Sequence, residues 1–165
     1  MKNQLTELSI VTPDGEFGAR YSEKGLVEVD FPNQRRAGKK TESANVSKQI
    51  CNWHRLTAAG LKSILAGHDA KKLPPMDWAG KTDFQKSVWR VLLKIAAGKT
   101  KSYGEVAVAI GKPKAVRAVG GACGANPIPV LIPCHRVLAA NKKLGGFTSG
   151  LDWKRDLLAR EGVKI

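Results

Sequence analysis

The stretch Ile132-Pro133-Cys134-His135-Arg136-Val137 is the part of this chain that we expect the rest to hold in place. It sets a thiol beside an imidazole at the end of a short apolar run, and these two groups are parts of an activated nucleophile. A buried structural cysteine is the alternative, because free cysteine is among the most buried residue types. Pro133 fixes the backbone just before the thiol. We therefore predict that residues 129–132 form a strand and that Cys134 lies at its end.

Length and composition limit the possible classes of protein. The 165 residues suit one domain or two small domains that share an interface, and 42% hydrophobic residues can supply a core. No apolar run approaches the roughly 20 residues needed to cross a bilayer, and the first residues lack a signal-peptide core, so we expect a cytoplasmic protein. The odd number of cysteines, without paired spacing, favours free thiols and indicates no metal site.

Positive charge is concentrated in the half of the chain that contains Cys134. Residues 1–76 carry 12 basic and 8 acidic side chains, a net +4, whereas residues 77–165 carry 16 and 6, a net +10. A solvated charged face is the simplest explanation. An excess this concentrated favours a polyanionic partner, and nucleic acid is the commonest.

The first half of the sequence has the pattern of a small sheet followed by a helix. Three segments read as short strands, residues 5–11, 17–22 and 26–31. The residues between them are typical of turns, so the sequence predicts an antiparallel meander. Residues 32–43 have no apolar period and are predicted to form an exposed loop. Apolar positions from 47 to 66 fall on one helical face. Residues 67–81 read as a linker between domains 1–76 and 77–165.

The second half opens with signals for helix starts. Thr82 with Gln85, and Ser102 with Glu105, each have the spacing of a capping box. Gly111 suits the turn after the second of these helices. Helix, glycine turn and helix on a basic background is the helix-turn-helix pattern, which many helical pairs share without binding DNA.

The third predicted helix, residues 115–122, is built mostly from small residues. Pro113 is predicted to occupy its first turn. Arg117 is the one long side chain among them. Gly120 and Gly121 would let the helix approach a partner closely; packing against a neighbouring helix is the alternative role for one or both of them.

From Thr82 to Gly162 the chain resembles the O6-alkylguanine-DNA alkyltransferases, also called methylated-DNA–protein-cysteine methyltransferases. The resemblance is carried by the Cys134 stretch, the helix pair, and Asn126-Pro127-Ile128-Pro129. It implies an α/β (α+β) fold, with a small N-terminal antiparallel sheet and helix, and a mainly helical C-terminal domain containing a helix-turn-helix and a short active-site strand.

The resemblance also implies an activity. The protein would take the alkyl group of O6-methylguanine, and of O4-methylthymine, irreversibly onto Cys134, after the base has been flipped out of duplex DNA. Each molecule would act once and no cofactor would be needed. The partner would be double-stranded DNA containing O6-alkylguanine, bound by a monomer or cooperatively.

Roles for individual residues follow from the same resemblance. Cys134 would be the nucleophile, His135 its base through a water molecule, and Glu161 the carboxylate that orients the histidine. Asn126 would brace the hinge between recognition helix and active-site strand. Tyr103 would rotate the nucleotide out and hydrogen-bond the departing guanine.

DNA contacts and the substrate pocket are implied in the same way. Arg117 would enter the duplex where the damaged nucleotide has left. The other implied DNA-binding residues are Ser102, Lys114, Ala115, Val116, Ala118 and Gly120. The implied pocket residues are Pro129, Val137, Phe147, Thr148 and Ser149. The family usually has tyrosine and a glycine where this chain has Phe147 and Ser149, so we expect small alkyl groups to be preferred over bulky ones.

Two other functions are compatible with parts of the sequence. A non-catalytic helix-turn-helix regulator or lesion sensor would bind DNA, but such sensors lack the cysteine. A cysteine hydrolase would turn over an acyl substrate repeatedly, whereas the alkyltransferase would not. Mass spectrometry of the protein after reaction with methylated DNA distinguishes the three.

Overall fold

The N-terminal half is a three-stranded antiparallel sheet with one long helix, as the alternation of apolar residues predicts. The computed structural model of the protein describes residues 4–34 and 45–165. Strands β1 (Thr6–Thr12), β2 (Gly15–Tyr21) and β3 (Leu26–Asp30) lie in the order β1-β2-β3. Most of the predicted loop at 32–43 lies outside the described residues, and its first three residues form a 3-10 turn.

Helix α1 (Lys48–Leu65) lies where the apolar period predicts it. The Ser47 hydroxyl caps the first turn by accepting from the backbone N–H of Ile50. Ile50, Leu61, Ile64 and Leu65 form its buried face. Gly67 follows the helix with a φ of 89°, a left-handed conformation that glycine adopts without strain.

The C-terminal half contains four helices and a two-stranded parallel ladder. The helices are α2 (Asp83–Leu92), α3 (Tyr103–Ala109), α4 (Val116–Gly124) and α5 (Leu151–Arg160). Both predicted capping boxes are present, at the starts of α2 and α3. Strand β4 (Lys101–Ser102) pairs with β5 (Val137–Leu138), which joins the start of α3 to the residues that follow Cys134.

Two local predictions are wrong. Pro113 lies in the turn before α4, because that helix begins only at Val116. Residues 129–132 do not form a strand: Val130 has a φ of 73°, and the only ladder contact there is a single bridge between Pro129 and Ile132. The apolar side chains of this run are buried around a turn, and burial alone does not distinguish a turn from a strand.

The buried hydrophobic side chains of the two halves form one continuous cluster. Trp153 of α5 packs against Phe17 and Phe31, with ring centroids 5.9 and 4.9 Å apart. The backbone N–H of Val29 in β3 donates to the carbonyl of Pro127 at 2.9 Å. The sheet is thus held against the segment that leads to Cys134. Within residues 4–34 and 45–165, no helix has the length and apolarity to cross a membrane.

Candidate active site

A cavity of about 750 Å³ lies between the sheet and the C-terminal helices, and Cys134 lies on its wall. The cavity size suits a small-molecule group or a single base. Its lining comes from both halves of the chain: Glu28, Val29, Asp30, Gln34, Tyr103, Gly120, Cys123, Gly124, Asn126, Pro127, Pro129, Cys134, Gly146, Phe147, Thr148 and Ser149. It is therefore lined by seven of the ten residues predicted for the catalytic centre and the substrate pocket.

Cys134 begins a 3-10 turn that runs to Arg136, immediately before β5. The Asn126 side chain holds the approach to this turn, since its amide nitrogen donates to the carbonyl of Ile132 at 2.8 Å and its oxygen accepts from the backbone of Ile128 at 2.9 Å. The same amide hydrogen-bonds the Cys134 sulfur. Asn126 thus joins the end of α4 to the thiol, which is the position expected of a hinge.

His135 is fully buried and contacts Glu161 from the end of α5. Its Nε2 lies 3.0 Å from Glu161 Oε1. Burial would raise the pKa of the Glu161 carboxyl, but hydrogen bonds from His135 and Arg136 outweigh it and lower that pKa to about 2. A carboxylate only accepts hydrogen bonds, so His135 Nε2 carries the proton and Nδ1 is left with a free lone pair.

The free nitrogen of His135 has no hydrogen-bond partner among the described residues, although it is buried. Burial lowers the pKa of His135, against the opposing contact with Glu161, so the ring is held neutral. Burial raises the pKa of the Cys134 thiol, and the Asn126 hydrogen bond and the charge of Lys154 act in the opposite direction. The site therefore contains a protonated thiol beside a neutral imidazole with one unused acceptor.

Arg136 is a buried residue that the sequence analysis did not identify. The residue is 2% exposed, and its guanidinium donates to both oxygens of Glu161 at 2.7 to 3.1 Å. It also donates to Asp69 at 3.1 Å and to the carbonyl of Ile95 at 2.6 Å. This planar fork fixes the carboxylate that faces His135. The sequence feature that could have identified Arg136 is its position two residues after Cys134.

Lys154 is the second residue that the sequence analysis missed. Its side chain is fully buried, and its ammonium donates to the carbonyls of Val137 at 2.7 Å and Gly146 at 3.2 Å. Burial lowers the pKa of Lys154, and the two nearby thiols, Cys134 and Cys123, oppose that shift. Lys154 precedes Glu161 by seven residues on the buried stripe of α5, so helical spacing could have identified it.

Tyr103 is half-buried at the first position of α3 and lines the same cavity. Burial, followed by the neighbouring Cys123 thiol, raises the pKa of its hydroxyl, which keeps the phenol protonated and able to donate. The Lys154 ammonium lies 5.9 Å from the centroid of its ring. A phenolic donor therefore lines the cavity that contains Cys134, and a buried cation lies near its ring.

Four of the five predicted pocket residues line the cavity: Pro129, Phe147, Thr148 and Ser149. The prediction for Val137 is wrong. Its side chain is fully buried and lines no part of the cavity, because Val137 belongs to the short strand β5; it contributes the backbone carbonyl that accepts from Lys154.

Helix α4 presents an exposed face made of small residues. A Cβ atom added to Gly120 or Gly121 would meet no atom of the described chain within 4 Å. The two glycines therefore do not serve packing against a neighbouring helix, which was the alternative interpretation. Arg117, Val116 and Ala118 are exposed on this helix, and Gly120 also lines the cavity.

The remaining predicted DNA-binding residues lie close to this face. Lys114 and Ala115 line a shallow depression just before α4. Ser102 is the N-cap of α3 and accepts from the backbone N–H of Glu105 at 3.0 Å, so its side chain has a structural contact of its own.

The chain is similar to known DNA repair proteins along nearly its whole length. A family model described as the DNA-binding domain of 6-O-methylguanine DNA methyltransferase matches residues 83–163. A methylated-DNA–protein-cysteine methyltransferase of Methanosarcina barkeri is 41% identical over 153 residues, which cover 92% of this chain and 94% of that protein. One from Mycobacterium tuberculosis is 55% identical over 101 residues, 61% of each chain.

Solved structures give the same result for the fold. The crystal structure of Mycobacterium tuberculosis OGT in complex with DNA superposes with a TM-score of 0.70 at 34% identity, covering 94% of this chain and 92% of that one. An O6-methylguanine DNA methyltransferase from Methanococcus jannaschii superposes with a TM-score of 0.66 at 28% identity, covering 96% and 95%. The predicted combination of small antiparallel sheet and helical C-terminal half is confirmed.

Proposed function

Since this chain belongs to the methylated-DNA–protein-cysteine methyltransferases, we propose that it repairs O6-methylguanine in duplex DNA by moving the methyl group irreversibly onto Cys134. O4-methylthymine is the second proposed substrate. The observation that carries the proposal is the juxtaposition at the cavity: a thiol on its wall, and beside it a buried imidazole with one nitrogen on Glu161 and the other unused.

The first chemical step is loss of the thiol proton. Because burial raises the pKa of Cys134, few thiols are ionised at neutral pH and a base is required. The lone pair on His135 Nδ1 takes the proton through a water molecule. Glu161 stabilises the imidazolium that forms. Lys154 and the Asn126 amide favour the thiolate, and both act on the sulfur as its negative charge appears.

Methyl transfer then takes place in a single in-line displacement. A bond forms between the Cys134 sulfur and the methyl carbon while the bond from that carbon to O6 breaks. The electron pair of the broken bond passes to the guanine, and the Tyr103 hydroxyl donates to a ring nitrogen as the charge develops. The product at Cys134 is a thioether, whose carbon–sulfur bond is stable and whose sulfur has no proton left to lose, so each molecule reacts once.

Access to the methyl group requires the base to leave the stack, since a thiol that is 6% exposed cannot reach into a duplex. In the proposal, α4 lies in the minor groove with Arg117 filling the gap left by the nucleotide. A groove about 6 Å wide admits a helix only when it is widened and the helix is thin. The open surface at Gly120 and Gly121 supports this orientation.

The experiment that tests the proposal is intact-protein mass spectrometry after mixing with duplex DNA that contains O6-methylguanine. We expect one added methyl per protein molecule, mapped by peptide analysis to Cys134, with Cys51 and Cys123 unmodified. Cys134→Ser should gain no methyl while still binding the duplex. Transfer to another residue, or repaired DNA well beyond one equivalent of protein, would contradict the mechanism.

A further inference from the structure

One wall of the cavity has no regular secondary structure to hold it. Gly146, Phe147, Thr148 and Ser149 line the cavity that contains Cys134, and they precede α5 in an irregular segment. We call residues 146–149 the wall segment. A backbone outside helices and strands is positioned by its side-chain contacts, so the contacts of the wall segment decide where the cavity ends.

Several of those contacts come from the N-terminal half, while the Thr148 hydroxyl also donates to the carbonyl of Gly124 at 3.0 Å and Lys154 donates to that of Gly146 at 3.2 Å. Gln34 uses both ends of its amide: Nε2 donates to the carbonyl of Thr148 at 2.9 Å, and Oε1 accepts from the Ser149 hydroxyl at 3.1 Å. The amide of Asn33 donates to the carbonyl of Ser149 at 3.5 Å. The ring of Phe147 meets the edge of Phe31 with centroids 5.9 Å apart. Three consecutive wall residues are therefore held by residues 31–34.

Gln34 also lines the cavity itself, next to the last residues of β3. Gln34 therefore lines the cavity and also binds the wall segment. It is placed to set the width of the pocket. Ser149 is 7% exposed and directs its hydroxyl to Gln34. Ser149 is consequently an anchor for the wall segment as well as part of the cavity lining.

We propose that the hydrogen-bonded pair Gln34 and Ser149 determines which alkyl groups the pocket accepts, by holding the wall segment close to Cys134. This inference rests on the proposed function of Cys134, and it assigns to the N-terminal half a positioning role in the reaction. A methyl group fits beside Cys134 while Gln34 holds the wall segment in place. A benzyl group requires the wall to move outward, so the anchoring contacts oppose it.

A double-mutant cycle tests the pair. Gln34→Ala, Ser149→Ala and the double variant are compared with the native protein for their rates on O6-benzylguanine and on O6-methylguanine in duplex DNA. Each single variant should raise the ratio of benzyl to methyl rates about two- to tenfold, the worth of one neutral hydrogen bond. The double variant should exceed the effect of Gln34→Ala by little, because Gln34→Ala already removes the contact that Ser149→Ala removes, together with the bond to the Thr148 carbonyl. Asn52→Ala, an exposed amide on α1, is the matched control.

A second measurement separates this inference from the proposed function. Methyl and benzyl methanethiosulfonate modify Cys134 without any DNA chemistry, and peptide mapping distinguishes it from Cys51 and Cys123. The same variants should raise the ratio of benzyl to methyl labelling at Cys134, even if the native protein repaired no DNA. An unchanged ratio in Gln34→Ala with both kinds of reagent, or effects of the two substitutions that multiply in the double variant, would overturn the proposal.

Discussion

His135 and Glu161 are joined by one hydrogen bond of 3.0 Å, and that bond decides which nitrogen of the imidazole is available to act as a base. Glu161 is ionised, so Nε2 donates and Nδ1 keeps its lone pair. The same carboxylate accepts from Arg136. Glu161 therefore orients the base and also neutralises a buried cation, and the two roles have different experimental consequences.

Replacing Glu161 should affect both rate and stability. Glu161→Gln removes the acceptor that selects the histidine tautomer, and we expect methyl transfer to slow on the order of 100-fold. It also removes the buried anion of Arg136 and leaves the half-exposed Asp69 as its remaining carboxylate partner, which should lower the free energy of unfolding by about 3 kcal/mol. Single-turnover kinetics and urea unfolding measure the two effects. Asp152→Asn, a fully exposed carboxylate on the same helix, should change neither.

Replacing Lys154 should change the pH dependence of the thiol. The charge of Lys154 lowers the pKa of Cys134, so Lys154→Met should raise that pKa further and slow iodoacetamide labelling of Cys134 on the order of tenfold near neutral pH. The labelling profile of the variant should lie at higher pH. Lys164→Met, an exposed lysine, serves as the control. An unchanged profile would mean that Lys154 only supports the backbone carbonyls.

Replacing Arg117 should impair extrusion of the damaged base without affecting bond breaking at Cys134. Arg117 is exposed on α4, away from the wall where Cys134 lies. Arg117→Ala should slow repair of O6-methylguanine in duplex DNA at least about tenfold, because base extrusion loses its support, while reaction with free O6-benzylguanine stays close to native. Equal losses on both substrates would make the arginine structural. Arg155→Ala, at an exposed position of α5, is the matched control. Duplex binding should weaken steeply with salt.

Replacing Asp14 should weaken the contact between the first hairpin and the last helix. The guanidinium of Arg160 donates to both oxygens of Asp14 at 2.6 and 2.8 Å, which lowers the pKa of that carboxyl. Asp14→Asn should cost about 1 to 2 kcal/mol of unfolding free energy at neutral pH.

The pH dependence of that loss has a definite sign. A carboxyl whose pKa is lower in the folded protein stabilises it above its unfolded pKa of about 3.9, and the contribution is lost as the pH falls through the folded value. The difference between native and Asp14→Asn protein should therefore narrow toward pH 3. Urea unfolding at both pH values measures it, with the exposed Glu23→Gln as control. A constant difference would assign the effect to packing.

Local patterns in the sequence were sufficient to predict the starts of α2 and α3 and to single out Cys134 as a candidate nucleophile. The capping boxes at Thr82 and Ser102 formed as predicted, because each depends only on residues within one turn. The hydrogen bond between His135 and Glu161 agrees with the predicted pairing of these two residues. Glu161 was identified by its resemblance to the family's carboxylate.

Tertiary structure alone decided what surrounds those residues. Residues 129–132 were predicted as a strand but form a turn at Val130. The prediction failed because an apolar run is buried in either conformation. Arg136 and Lys154 are charged, and charged residues are rarely buried, so local rules place them on the surface; they are buried because carboxylates and carbonyls from distant segments meet them there. The contact of Gln34 with Ser149 joins positions 115 residues apart. A sequence pattern reflects the chemistry of each residue and of its near neighbours. The contact between Gln34 and Ser149 forms only when the sheet packs against the helices.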